Sequence, residues 1–206
     1  MISAHLFDMI SIDPPYKKIY QRLGFKDKTT KLTDSQKQET DCFIADAAAT
    51  IFIKGAALRK YVNKNDGKMI VLDDDLTFSS VQLSFFLRDC KEAILMGATA
   101  GKAIMDEIKK KTDQNNLAAA VVYDATASEM TDAALDWMMN YFNNQLRREG
   151  KKLLPRRFSA GYADFNLENQ KIIYQQLQME KIGVAINADF IFLPEKSVTA
   201  ISGICS

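Results

Sequence analysis

Histidine is almost missing from this chain. Of its 206 residues only His5 carries an imidazole, which excludes a multi-histidine zinc site and leaves any Ser-His-Asp or Cys-His mechanism dependent on a residue beside the N-terminus. Cysteine is scarce as well. Cys42, Cys90 and Cys205 are scattered and odd in number, a pattern that speaks against a disulfide framework or a zinc knuckle and reads as buried or incidental thiols. No stretch approaches the roughly eighteen consecutive apolar residues of a membrane span. The opening MISAHLFDMISID lacks the basic segment and small-residue cleavage site of a secretory leader. Both absences lead to the expectation of a cytoplasmic protein with no membrane association. An excess of one charge is missing too: 27 Lys and Arg face 26 Asp and Glu, for a net charge of +1, so there is no general drive toward nucleic acid. Internal repeats and low-complexity tracts are absent.

What is present fits one domain covering residues 1–206, with an ordinary apolar fraction of 47%. Asp13 before Pro14 and Pro15 predicts a short helix over 15–23 stopped by Gly24. Thr33 with Gln36 forms a capping-box pattern that opens an Ala-rich helix to about Thr50. The stretch 55–62 is ambiguous, 68–72 reads as a strand, Ser79 as the cap of a helix through Leu87, 93–98 as a strand and 101–111 as a helix. Residues 117–148 contain few breakers and read as one or two long helices, with Gly150 and Pro155 as stops. A helix over 167–177 and strands near 184–186, 190–193 and 198–204 complete the chain. The expected fold class is α+β, a mixed or antiparallel twisted sheet packed with helices, since the strands do not alternate regularly with helices.

Three local features bear on chemistry. Gly97-Ala98-Thr99-Ala100-Gly101-Lys102 follows an apolar strand and opens a helix, as a phosphate-binding loop does. Only three residues separate its glycines, however, and Ala103 follows the lysine where a magnesium-binding hydroxyl belongs, so a tight strand-to-helix connection is the better reading. The run from Arg147 to Arg157 gathers six cations around a single acid, Glu149, and reads as a solvated helix end or, less simply, a docking patch for an acidic protein. Asp73-Asp74-Asp75 is a small acidic knot. The third feature is Arg157-Phe158-Ser159-Ala160-Gly161-Tyr162, which joins a forked cation, lightly covered backbone and a phenol. Arginine grips a carboxylate with two parallel hydrogen bonds, and glycine lets a ligand approach the main chain. Such a set suits a small zwitterion.

From Arg157 onward the sequence resembles the activation domain of cobalamin-dependent methionine synthase. In that family Arg-x-x-x-Gly-Tyr is followed by a helix, a Glu-Lys-x-Gly turn and a strand pair closing on Ser-Val-x-x-x-x-Gly. Here Arg157, Gly161 and Tyr162 are followed by Glu180-Lys181 with Gly183, then by Ser197-Val198 and Gly203. The resemblance covers about the last half of the chain, extends more weakly through 124–148 and 93–99, and is only suggestive before Ser79. It implies binding of S-adenosylmethionine, with Arg157 on the methionyl carboxylate, main-chain groups of Ser159, Ala160 and Gly161 against the ligand, Tyr162 packed on it, and Asp136 facing the ammonium group directly or through water. The chain lacks the Asp-x-His-x-x-Gly signature with which corrinoid modules ligate cobalt, so the resemblance implies cobalamin carried by a partner.

The function implied is reductive reactivation, in trans, of a cobalamin-binding methyltransferase module. A flavodoxin- or ferredoxin-type donor would supply electrons, and this chain would be a component rather than a complete enzyme. Departures from the family pattern are Ala160 where proline is common, no match for an early aspartate, and a sequence ending at Ser206 before a downstream tyrosine. The alternative reading is a docking or scaffold module whose ligand site has decayed.

Overall fold

The computed structural model describes residues 4–26, 29–73 and 76–205. In chain order the elements are β1 (His5–Phe7), α1 (Tyr16–Arg22), α2 (Asp34–Thr50), β2 (Lys54–Asn65), β3 (Met69–Leu72), β4 (Leu76–Ser79), α3 (Val81–Phe86), β5 (Glu92–Thr99), α4 (Lys102–Asp113), α5 (Leu117–Leu146), β6 (Lys152–Leu153), α6 (Asn169–Leu177), β7 (Ala185–Ile186), β8 (Phe192–Leu193) and β9 (Ser197–Cys205). The main sheet runs β4-β3-β2-β5-β9-β6, with β1 added beside β2, and β7 pairs β8 in a small separate ribbon. Every pairing between these strands is antiparallel, so the chain is α+β with helices on both faces of an antiparallel sheet.

The sheet sorts its side chains by the period of two that a strand imposes. On β5 Ile94, Met96 and Ala98 face one core with Ala57, Ala200 and Ile204, while Ala93 and Leu95 face the other with Ala56, Leu58 and Ile201. The first core is roofed by α2, α4 and α5 through Ala47, Ile104, Tyr123, Ala127, Met130, Ala134 and Met138. The second is closed by β3, β4, α3 and the 158–192 segment through Ile70, Phe78, Leu83, Phe165, Ile173, Leu177 and Met179. Buried on both faces, β5 reads as an unbroken apolar run, which is why it was legible without alternation. Gly97 lies where a Cβ would come 3.0 Å from Met179 Sδ, so the glycine admits the short 3-10 turn of Met179–Ile182 against the sheet.

The capping box of Thr33 and Gln36 forms as expected, with Thr33 Oγ1 accepting from Gln36 N at 3.2 Å and Gln36 Oε1 from Thr33 N at 3.0 Å. α5 is one uninterrupted helix, begun by Asn116, whose side chain accepts from Ala119 N at 3.2 Å. In its C-terminal half, Trp137 stacks on Tyr141 at 5.5 Å and meets Phe7 of β1 edge-on at 5.4 Å. The Gly97 to Lys102 segment is the strand-to-helix connection its spacing suggested, with Lys102 paired to Asp106 at 2.6 Å.

Several expectations are corrected. The ambiguous 55–62 stretch is the core of β2, held by eight residue pairs with β5. The cap of α3 is Ser80, not Ser79, because β4 occupies 76–79; Ser80 Oγ accepts from Leu83 N at 2.9 Å. Cys90 and Cys205 are joined as a disulfide with Cα atoms 4.8 Å apart, brought together by the β5–β9 ladder across 115 residues, whereas Cys42 is exposed. In the acidic knot Asp73 accepts from Tyr61 N at 2.8 Å; Asp74 and Asp75 lie outside the described residues.

The basic run after α5 is not simply solvated. Arg59 holds Glu149 through Nη1 at 2.8 Å and Nη2 at 2.6 Å and also donates to Glu92, while Lys151 reaches Glu92 at 2.7 Å and Glu149 at 3.0 Å. Glu92 is nearly sealed, its side chain 4% exposed. Burial pushes its carboxyl up, but the two cations outweigh that and leave it below the usual range. Hydrogen bonds from Arg59 and Lys151 hold Glu149 down at about 2. Among the described residues no helix is long and apolar enough to cross a membrane.

Candidate functional site

Two helix carboxylates and one loop arginine build the site. Asp132 and Asp136 lie one turn apart on α5, an i, i+4 pair that points the same way. Arg157 approaches them from the loop between β6 and α6. That loop is fixed to β9: Phe158 N donates to Ile201 O at 2.8 Å, Ile201 N donates to Phe158 O at 2.7 Å, and Ser202 Oγ donates to Arg156 O at 3.1 Å. Arg157 Nη2 donates to Asp132 Oδ1 at 2.8 Å, and Nη1 donates to Asp136 Oδ1 while lying 3.8 Å from Met139 Sδ. The guanidinium is thus largely covered, with the Arg157 side chain 17% exposed.

Asp136 has a second cation, Lys18 of α1, at 3.1 Å. Burial raises its carboxyl pKa, and the Arg157 guanidinium followed by the Lys18 ammonium more than reverses this, so it ionises below the usual carboxylate range.

Beyond Arg157 the chain makes a tight turn. Tyr162 N donates to Ser159 O at 3.3 Å, Phe165 N to Tyr162 O at 2.9 Å, and Gly161 N to Phe165 O at 2.7 Å. Gly161 has φ +90, a left-handed backbone that a β-carbon would strain. Phe165 is fully buried, and Asp164 ties the turn to α3 by accepting from Ser80 Oγ and Val81 N, both at 2.6 Å, and from Gln82 N at 3.2 Å. The Ser80 hydroxyl and these amides hold the Asp164 carboxyl below its usual value. Hydrogen bonds thereby brace the loop around Ala160.

The result is a hollow of about 200 Å³ lined by Asp132, Arg157, Phe158, Ser159 and Tyr162. A neighbouring hollow of about 230 Å³ is lined by Asp132 together with Arg22, Ser128, Thr131, Glu195, Lys196, Ser197 and Val198. Of the residues expected at the site, Arg157, Ser159 and Tyr162 line the first hollow, with Tyr162 69% exposed and free to cover an occupant. Ala160 is buried in the second core, Gly161 uses its N–H inside the turn, and Asp136 is engaged by Arg157 and Lys18 beside the hollow. Sequence reasoning passed over Asp132, although its four-residue spacing from Asp136 on a long helix was a usable signal. Lys18, 118 residues from its partner Asp136, left none.

Chemically, the hollow offers an anion site and a cation site side by side. Arginine has five N–H donors in a fixed fork, and the two carboxylates use only part of them. The bidentate face needed for a ligand carboxylate can therefore be freed by exchanging one partner. A small zwitterion fits that donor set.

No known family profile matches the sequence, and no curated protein matches it. Solved structures do. The crystal structure of the MetH reactivation domain bound to AdoHcy aligns with a TM-score of 0.68 over 92% of this chain and 72% of that one, at 13% sequence identity. The chain therefore has the fold of the MetH reactivation domain, the same kind of domain that its Arg157-x-x-x-Gly161-Tyr162 segment resembles.

Proposed function

We propose that this protein binds S-adenosylmethionine in the Arg157 hollow and presents it to a reduced corrinoid held outside these 206 residues, reactivating a cobalamin-binding methyltransferase module in trans. The observation that carries this reading is the placement of Arg157, an acidic partner and Tyr162 around one hollow on a fold shared with a domain whose structure contains AdoHcy. When bound, S-adenosylmethionine supplies an electrophilic methyl group and the partner's corrinoid the nucleophile. This chain supplies position. Arg157 anchors the methionyl carboxylate, Asp136, itself paired with Lys18, holds the guanidinium in place, and Tyr162 closes over the ligand. Because reduction of the corrinoid is uphill, a flavodoxin- or ferredoxin-type donor completes the system, and such a system operates in the cytoplasm.

One observation favours the docking-module alternative: without ligand, Arg157 is already held by two carboxylates. Calorimetric titration with S-adenosylmethionine separates the two readings. Saturable binding that Arg157→Ala weakens by about tenfold or more supports the first, and absence of binding leaves the second. Catalysis is then tested by adding the protein to a corrinoid methyltransferase trapped in the cob(II) state. Methylcobalamin should appear faster only when S-adenosylmethionine and a low-potential reductant are both present. Equal rates for wild type and Arg157→Ala would refute the assignment.

A further inference from the structure

The loop that carries Arg157 rests on two supports, and one covalent bond joins them. Its first support is the end of β9: Leu154 N donates to Gly203 O at 2.8 Å, Ser202 Oγ donates to Arg156 O at 3.1 Å, and Phe158 exchanges both backbone hydrogen bonds with Ile201. Its second is α3, whose Phe86 ring meets that of Phe158 at 5.7 Å and whose N-terminus is tied to Asp164. Cys90, in the turn that follows α3, is bonded to Cys205 at the end of β9. The disulfide thus ties one support to the other.

Contact carries this clamp to the loop itself. A Cβ on Gly203 would come 2.5 Å from Cys90 Sγ and 3.0 Å from Leu154 Cδ1, so the sulfur and the start of the loop lie against the same piece of β9 backbone. The fold does not depend on the bond. Eight residue pairs, from Glu92 with Ile204 to Thr99 with Ser197, already set the β5–β9 register, and both cores are filled from other positions. Cys90 is 6% exposed whereas Cys205 is more open to solvent, so an external thiol meets Cys205 Sγ first.

Resting on the S-adenosylmethionine reading above, we propose that Cys90 and Cys205 form a redox switch of the Arg157 site, in which the disulfide holds the loop in its binding shape and the dithiol lets it loosen. A low-molecular-weight thiol such as glutathione opens the pair by exchange. Its thiolate attacks Cys205 Sγ, the S–S bond breaks, and Cys90 leaves as a thiolate that takes up a proton. A second glutathione thiolate attacks the glutathione sulfur of the mixed disulfide, departs as oxidised glutathione and releases Cys205, which is protonated in turn. Two electrons and two protons have then passed to the cysteine pair, and two thiols have become one disulfide. Oxidised glutathione drives the reverse. A loosened loop must be ordered at each binding event, and that cost makes the reduced form the weaker binder. Methyl-donor binding is then tightest under oxidising conditions, where a reduced corrinoid is most prone to lose an electron.

The test uses Cys42→Ser as background, which removes the exposed third thiol, and compares its oxidised form, its form reduced by excess glutathione, and the same protein with Cys205→Ser added. Thiol alkylation read by mass counts the open pair, calorimetry measures S-adenosylmethionine binding, and amide exchange follows residues 156–162. Reduction should weaken binding by about threefold or more and speed exchange in that segment. Cys205→Ser should match the reduced form in either buffer; if that variant does not fold, the oxidised and reduced forms of the background protein carry the comparison alone. A pair that stays closed in excess glutathione is a structural bond and overturns the switch. If the oxidised form binds S-adenosylmethionine but reduction changes neither affinity nor exchange, the switch fails and the proposed function stands. If neither form binds, the proposed function fails and the switch of that site fails with it.

Discussion

The molecule contains two ion clusters of the same composition, one arginine, one lysine and two carboxylates, that are wired differently. In the cluster of Arg59, Lys151, Glu92 and Glu149 each cation holds both acids, so the circuit is closed and Glu92 is buried in it. In the cluster of Arg157, Lys18, Asp132 and Asp136 the charges form an open chain ending on Asp132, and that end lies in a hollow. A closed circuit has no charge to lend. The open one can exchange its terminal pair for a ligand's, at the cost of tying the surrounding segments together less firmly. The same set of charges is thus closed on itself in one place and, on the proposed reading, available for recognition in the other.

The sharpest way to break this comparison is to remove the arginine from each cluster. Arg59→Met leaves buried Glu92 with Lys151 alone and should lower unfolding stability by about 3 kcal/mol in urea titrations, with S-adenosylmethionine binding intact. The same cluster governs the acid response. Glu92 and Glu149 have depressed folded pKa values, so their stabilisation is complete above the ordinary value of 4.5 and is lost as pH falls toward about 2. Arg59→Met should flatten the pH dependence of the melting temperature in that window, and a profile as steep as wild type would contradict the assignment.

Arg157→Ala should do the reverse, leaving the melting temperature nearly unchanged while removing about 1.5–3 kcal/mol of ligand binding. Arg157→Lys should lose most of that amount, because an ammonium keeps the charge but not the fork. If lysine binds as well as arginine, the residue contributes only charge. Next in size, Ser80→Ala deletes the α3 cap and the tie to Asp164, and should cost about 1 kcal/mol of stability. It should also speed amide exchange in the 158–165 turn; unchanged exchange there would mean that Asp164 is held without it. Smallest is Lys18→Met. Both partners of the Lys18–Asp136 pair are nearly half exposed, at 49% and 46%, so the loss of stability should stay below about 1 kcal/mol, and a larger loss would show the open cluster to be a structural one.

Local signals were legible in the sequence and long-range ones were not. Thr33 with Gln36, the run without breakers that became α5, and the apolar β5 each write their conformation in adjacent residues. The 55–62 part of β2 is ambiguous in sequence because Gly55, Ala56 and Ala57 have little strand preference of their own and become a strand only between β1 and β5. β6 pairs just two residues, Lys152 and Leu153, too few to leave a pattern. At the site, the motif placed Arg157 and Tyr162 on the hollow. It did not show that Ala160 is a core residue, that Asp132 rather than Asp136 borders the cavity, or that Glu149 and Lys151 of the basic run belong to an internal circuit. Those facts depend on contacts between segments far apart in the chain, which spacing alone does not encode.

The aromatic group on α5 has an optical consequence. Trp137 is the only tryptophan, and its indole is engaged by Tyr141 and Phe7 although its sequence neighbour Asp136 faces Arg157. Its emission should therefore follow whether β1 stays seated on α5. Filling of the Arg157 hollow should pass with little change in that signal, so a fluorescence titration that looks silent would not by itself mean an empty site.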